Sequence, residues 1–234
     1  MRKFVIGDIH GLHEGLKQVF KESNFDTKKD KLIVLGDVCD GWPFVKQCFD
    51  DLLKIDNLIY VLGNHDQWAL DWYTGEMGSE PEYLWTQQGG QATLDSYMNA
   101  DMDNAHIDLL SKALPYYIED NDLFVHGGMD ETATLEEQGL DTLLWDRSMF
   151  EKAVMVHPVN PDYKFQDWRT VFIGHTTIQN YSTDMIPLRK CNVVNLDTGA
   201  GWSGKLTLME INTGEFWQSD LAHQIYPNIK GRSG

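Results

Sequence analysis

Aspartate, histidine and asparagine recur next to glycine along this chain: Gly7-Asp8-Ile9-His10-Gly11, Gly36-Asp37-Val38-Cys39-Asp40-Gly41, Gly63-Asn64-His65-Asp66, His126-Gly127-Gly128 and Gly174-His175. Carboxylate, imidazole and amide oxygen form a mixed donor set that suits manganese, iron or zinc. An all-oxygen cage would suit calcium, and thiolates would suggest structural zinc. A carboxylate can bridge two such ions about 3.5–4 Å apart, and the pair then activates water and clamps an in-line displacement at phosphorus. Any one of these segments could be a plain turn closed by an Asx bond. The five together do not read that way.

The runs preceding these segments read as strands. Phe4-Val5-Ile6, Leu32-Ile33-Val34-Leu35 and Leu58-Ile59-Tyr60-Val61-Leu62 are all-apolar and end at Gly7, Gly36 and Gly63. Between them, Leu12, Leu16, Val19 and Phe20 recur at helical spacing. Phe44, Val45, Cys48, Phe49, Leu52 and Leu53 do the same after Pro43, a residue suited to a helix start. This β-α-β-α-β order predicts a parallel sheet covered on both faces. Ligands of such sheets bind outside the carboxyl ends of the strands, where glycine permits a sharp turn. Leu123-Phe124-Val125 and Val171-Phe172-Ile173 lead likewise into His126 and Gly174-His175, so all five segments are expected along one edge.

Residues 67–114 read as a helical, aromatic-rich segment with Trp68, Trp72, Tyr73, Tyr83, Trp85 and Tyr97, broken at Gly89-Gly90. Residues 192–196, 205–211 and 215–218 read as an antiparallel set, with Asn212-Thr213-Gly214 as a hairpin turn. No repeat or linker divides the chain, which predicts a single domain over 1–234 with two sheets packed between helices.

Composition narrows the partners. At 42% hydrophobic and 12% aromatic, 234 residues can build a sizeable core, which excludes wholesale disorder. The 36 acidic against 19 basic residues give a net charge of −17, so neither stable nucleic-acid binding nor a membrane partner is expected. Binding phosphate on so acidic a chain calls for bound cations, the largest local charges in such sites. No apolar run approaches a membrane span. The opening Met-Arg-Lys-Phe-Val-Ile-Gly-Asp has too short an apolar stretch for a signal peptide. Cys39, Cys48 and Cys191 lack metal-finger spacing, which with the rest predicts a reducing, cytoplasmic setting.

In order, GD-x-HG, GD-x-x-D, GNHD, HGG and GH resemble the calcineurin-like metallophosphoesterase superfamily, and within it the phosphoprotein phosphatase group. That group includes phage and bacterial serine/threonine phosphatases and symmetrical diadenosine tetraphosphatases. Asn195-Leu196-Asp197-Thr198-Gly199-Ala200 and Gly204-Lys205-Leu206-Thr207 extend the resemblance to about residue 210. It implies an α/β fold, a four-layer αββα sandwich of two mixed sheets flanked by helices, and two divalent metal ions: manganese first, iron or zinc as alternatives. Asp8 and His10 would hold one ion, Asp37 would bridge both, and Asn64, His126 and His175 would complete the second. His65 would be the general acid, polarised by Asp40. Arg147, in Leu143-Leu144-Trp145-Asp146-Arg147, resembles the phosphate-clamping arginine, and Asp197 would steady a ligand from behind. The implied activity is hydrolysis of phosphate monoesters, on phosphoproteins or small molecules. A dinucleoside polyphosphate or phosphodiester is the alternative substrate, and a metal-binding scaffold the non-enzymatic alternative. A scaffold would be expected to lose ligands, and here all six positions and His65 are intact.

One departure stands out. After the second aspartate the family usually has arginine and glycine, whereas this chain has Gly41 and Trp42. A cationic phosphate contact is therefore missing. Arg147 would act alone, a distant residue such as Arg169 or Arg189 would compensate, or the substrate is not a simple monoester. His13, His106, His157 and His223 lie outside any motif and read as solvated or structural. Cys39 reads as a small buried residue, and Trp42, Trp68, Trp72 and Trp85 as mostly core, some of them possible cleft walls.

Overall fold

The computed structural model describes residues 1–232. Strands β1 (Lys3–Ile6), β2 (Lys31–Val34) and β3 (Asn57–Tyr60) alternate with helices α1 (His13–Glu22) and α2 (Val45–Leu52). Four helices follow: α3 (Asn64–Thr74), α4 (Ser79–Trp85), α5 (Gln91–Ser96) and α6 (Asn104–Ser111), with a π-type turn at Thr86–Gly90 joining α4 to α5. The second half carries β4 (Tyr116–Glu119), β5 (Asp122–Val125), α7 (Leu140–Trp145), α8 (Ser148–Val156), β6 (Thr170–Ile173), β7 (Leu188–Lys190), β8 (Val193–Asn195), β9 (Thr207–Glu210), β10 (Phe216–Gln218) and α9 (Ala222–Ile225).

The strands form two five-stranded mixed sheets, ordered β10-β9-β1-β2-β3 and β4-β5-β6-β8-β7. Alternation along each strand decides what each sheet covers. Val5, Ile33 and Leu35 point from the first sheet toward Phe124, Phe172 and Val194 of the second, and all of these are buried. Phe124 and Phe172 stack there, with centroids 5.0 Å apart and rings 4° from parallel. The neighbouring residues Phe4, Ile6, Leu32 and Val34 face the opposite way, onto Leu16, Val19 and Phe49 of α1 and α2. On the far side, Leu123, Val125, Val171 and Ile173 pack on Met149, Phe150 and Ala153 of α8. Strands apolar on both faces therefore make four layers, the αββα sandwich that the motifs imply.

The expected antiparallel set is split between the sheets. β8 pairs in parallel with β6 and antiparallel only with β7. β9 and β10 instead complete the first sheet, with β9 antiparallel to β1. The hairpin between β9 and β10 is where the turn residues predict it. Among the described residues, no helix is long and apolar enough to cross a membrane.

Candidate active site

β1, β2 and β3 run parallel in one sheet, and β5 and β6 run parallel in the other. Asp8, Asp37, Asn64, His126 and His175 lie in the segments just beyond their carboxyl ends. His10, one turn past β1, joins them. Two ligand-bearing groups result, Asp8–His10–Asp37 and Asp37–His126–His175, and they share Asp37.

In the first group, His10 Nδ1 donates to the Cys39 carbonyl at 2.8 Å, which leaves Nε2 as the bare nitrogen. That nitrogen lies 3.7 Å from Asp37 Oδ2 and 4.0 Å from Asp8 Oδ2. In the second, Asn64 Oδ1 lies 2.9 Å from His126 Nε2 and 2.8 Å from His175 Nδ1. Asp37 Oδ2 is 3.3 Å from the same His126 nitrogen. One carboxylate oxygen of Asp37 thus faces both groups, while its Oδ1 is held by the backbone N–H of His65 at 2.9 Å.

This donor set fits divalent ions. Two cis ligands on an ion with bonds of about 2.1 Å stand about 3.0 Å apart, close to the spacings around Asn64 and Asp37. Without a cation, protons do the bridging. Burial disfavours a charge on His126, yet the Asp37 carboxylate beside it outweighs burial and lifts the imidazole to about 9. Its Nδ1 donates to the Leu35 carbonyl at 2.6 Å, so the extra proton sits on Nε2, the atom that faces Asn64 and Asp37. His175 Nε2 is buried with no hydrogen-bond partner. Burial, and after it the His126 cation, keeps that ring neutral. Burial and the nearby Asp197 push Asp8 well above the usual carboxylate range.

Next to the two groups, His65 Nδ1 meets Asp40 Oδ2 at 2.5 Å. Asp40 is fully buried and also accepts from Trp85 Nε1 at 2.9 and 3.0 Å and from Thr93 Oγ1 at 2.6 Å. Three donors on one carboxylate fix its plane, and with it the orientation of the imidazole. Burial lifts Asp40 to about 7 against the pull of Thr93, His10, Arg232 and Trp85. His65 is held down at about 3, first by burial and then by Arg232, His126 and Arg147, against the Asp37 carboxylate. In the metal-free protein its ring is therefore neutral, with its Nδ1 proton on the Asp40 side.

Three contributors to this geometry have no site role assigned from the sequence. Asp66, at the third position of α3, receives the backbone N–H groups of Asp37, Val38 and Cys39 at 2.8, 3.0 and 3.1 Å and the Tyr60 hydroxyl at 2.9 Å. It sets the turn that presents Asp37 and Asp40. Its place in Gly63-Asn64-His65-Asp66, three residues after the N-cap, was the available signal. Trp85 and Thr93 come from the helical segment, where nothing local marks them as partners of Asp40.

The remaining expected residues divide. Arg147 is exposed at the N-cap of α8, and its charge lowers His65 and His175. Trp145 stands edge-on to His175 at 5.7 Å and to Trp68 at 4.9 Å, and Trp68 in turn meets His65 at 5.2 Å, so an aromatic wall runs beside the histidines. Asp197 Oδ1 accepts the Gly199 N–H at 3.0 Å and shapes a turn; it reaches the ligand groups through its charge on Asp8. Arg169 is not a substitute for the missing cation. It pairs with Asp122 at 2.5 Å, at the amino end of β5 and away from the site. Arg189 is exposed in β7, at the edge of the second sheet. Trp42 is core, its Nε1 donating to the Ala200 carbonyl at 2.8 Å. Another arginine does reach the site. Arg232 Nη1 lies 3.2 Å from His10 Nε2.

With this geometry established, known proteins resemble the chain as follows. A model of the calcineurin-like phosphoesterase family matches residues 1–187. Serine/threonine-protein phosphatase 1 of Salmonella typhimurium is 27% identical over 223 residues, covering 89% of this chain and 91% of that protein. A symmetrical bis(5'-nucleosyl)-tetraphosphatase of Cellvibrio japonicus is 27% identical over 271 residues, covering 93% and 98%. The crystal structure of a metallophosphoesterase from Sphaerobacter thermophilus shares the fold, with a TM-score of 0.60 at 17% identity over 94% of this chain and 89% of that one.

Proposed function

The chain belongs to the calcineurin-like phosphoesterase family, and on that premise we propose that it hydrolyses phosphate monoesters on phosphoproteins or small molecules with two divalent ions, manganese first. The observation that carries this reading is the single Asp37 oxygen facing both ligand groups, with the His65–Asp40 pair alongside. Asp8, His10 and Asp37 would hold one ion; Asp37, Asn64, His126 and His175 the other. When bound, the pair supplies an activated water and takes up charge on the phosphoryl oxygens. His65 would act as the general acid toward the leaving oxygen. The ring, neutral with its proton on Nδ1, first takes up one solvent proton on Nε2, the Asp40 carboxylate stabilises the resulting imidazolium, and that Nε2 proton passes to the leaving oxygen. Arg147, free of protein ion pairs among the described residues and close enough for its charge to lower His175, would grip a phosphoryl oxygen from that side.

A second reading, cleavage of a dinucleoside polyphosphate, is supported by the Trp68–Trp145 wall beside His65 and His175, which offers a face on which a base could stack. The test is a panel with added manganese: para-nitrophenyl phosphate, its bis-ester, diadenosine tetraphosphate and a phosphoserine peptide. Turnover of the monoester and the peptide above the other two supports the first reading. Preference for diadenosine tetraphosphate replaces it with the second. No manganese-dependent turnover of any of the four refutes both.

A further inference from the structure

Position 41, where an arginine is expected, is glycine with φ +82, and the space beside it is occupied by a residue from beyond α9. A Cβ built on Gly41 would come within 3.4 Å of Arg232 Cγ, and one built on Gly89 within 3.0 Å. The arginine stem therefore lies in a slot between two glycine backbones. It is tied there by the Arg232 N–H to the Gly201 carbonyl at 3.1 Å, and by Nε to the Gln88 carbonyl at 3.1 Å in the π-type turn. The guanidinium carbon sits 4.7 Å over the Trp202 ring. Long side chains lose much rotamer freedom on ordering, and a stack plus two anchors removes most of it before any ligand arrives.

The head is immobilised but not used up. An arginine has five N–H groups. One points at Gln88 and one at His10, which leaves three without a protein acceptor among the described residues. Among the described residues no carboxylate forms an ion pair with it. The His10 contact is also provisional. Nε2 is the lone pair that a bound ion would claim, so loading the first group turns that N–H away from His10 and toward whatever else approaches the ion. A phosphoryl oxygen answers that description, because a planar cation with parallel N–H groups grips such oxygens in pairs.

We propose that Arg232 is a substrate-binding residue that grips a phosphoryl oxygen of the phosphoester, supplying the cation that position 41 lacks. With Arg147 on the His175 side and Arg232 on the His10 side, the phosphoryl group is held from both flanks of the ion pair. The proposal rests on the two-ion phosphoesterase reading above, and it can fail separately.

The test uses the manganese-loaded full chain and inorganic phosphate as probe, titrated calorimetrically and as a competitive inhibitor of para-nitrophenyl phosphate hydrolysis. Arg232→Ala should weaken phosphate binding roughly 10- to 100-fold, the size expected for one lost charged hydrogen bond, and raise KM in parallel. Manganese content should stay at two per chain, Arg232→Lys should fall between, and Arg189→Ala should match the wild type. A variant that binds phosphate as tightly as the wild type overturns the proposal. So does one whose loss tracks lost manganese, since Arg232 would then serve the ion and not the phosphate. If the wild type shows no turnover, the phosphatase reading fails, while the calorimetric titration still decides the role of Arg232.

Discussion

Metal loading should expel a proton from His126, and the structure sets how strongly. In the metal-free protein this imidazole sits at about 9 because Asp37 lies beside it, with the proton on Nε2 between Asn64 Oδ1 and Asp37 Oδ2. An ion in the second group needs that nitrogen bare. At pH 7 only about 1% of the ring is unprotonated, so apparent affinity should be about 100-fold below its limiting value, a cost near 2.7 kcal/mol. Affinity should then rise about tenfold per pH unit, or roughly 30-fold from pH 6.5 to 8. His175 releases nothing, because its Nδ1 proton can move to the orphaned Nε2 within the neutral ring. Asp8, pushed well above the usual carboxylate range by burial and Asp197, adds to the release. Manganese titration calorimetry in three sulfonate buffers of different ionisation enthalpy reads the count directly, as the slope of observed heat against buffer enthalpy. At least one proton should leave per chain at pH 7. A slope near zero, together with an affinity flat from pH 6.5 to 8, would refute the placement of the proton on the ligand nitrogen.

Three further outcomes follow from the same geometry. His65→Asn should lower kcat by about 10²- to 10⁴-fold while manganese content stays near that of the wild type; elemental analysis showing lost metal would make His65 a ligand or a folding residue instead of an acid. Asp66→Asn turns an amide N–H toward backbone N–H donors of the 37–39 turn, and chemical denaturation should show a loss of roughly 3 kcal/mol or more. An unchanged midpoint would mean that the turn holds itself. In the metal-free protein, His126 keeps its proton between the ordinary histidine range and about 9 while the unfolded chain loses it, so stability should fall by about 2–3 kcal/mol from pH 7 to 9. Manganese should abolish that slope, and a slope that persists in the loaded protein contradicts the assignment.

What was legible in the sequence was local. A glycine after an apolar strand, followed by a donor side chain, is written in consecutive residues, and the structure gathers all six expected ligand positions along one edge. Strands β1, β2 and β3 with their helices were legible for the same reason, since period and apolar run length are read within about fifteen residues. Pairing is not local. Val193-Val194 belongs with β6 because both its faces are buried, Val193 under α8 and Val194 against the other sheet. Alternation cannot tell such a strand from the neighbours of β9, so one expected set became two. The same limit hides Trp85 and Thr93, which reach Asp40 from 45 and 53 residues away. It hides Arg232 more deeply still, 222 residues from His10. A missing cation at position 41 said that something should replace it, and only the fold says that Arg169 is committed to Asp122 while Arg232 is not.

Charge explains why the site is assembled from so many places. Asp8, Asp37, Asp40, Asp66 and Asp197 are all buried within one edge of the sandwich. Burying one unpaired carboxylate costs several kcal/mol, so five on a single loop would not fold. The structure spreads that cost over separate segments and answers each carboxylate differently: backbone N–H groups for Asp66 and Asp197, Trp85 and Thr93 for Asp40, and the His126 proton for Asp37. Asp8 has the weakest answer, the backbone N–H of His175 at 3.1 and 3.2 Å from its two oxygens, and burial with the nearby Asp197 pushes it toward protonation. The carboxylates best satisfied by the protein are thus the ones that position others. Of the two that face the candidate ion groups, Asp8 is pushed toward protonation, while Asp37 keeps its charge against the His126 cation. On the two-ion reading, cations would displace the Asp8 and His126 protons, and a chain of net charge −17 could then draw in a phosphate.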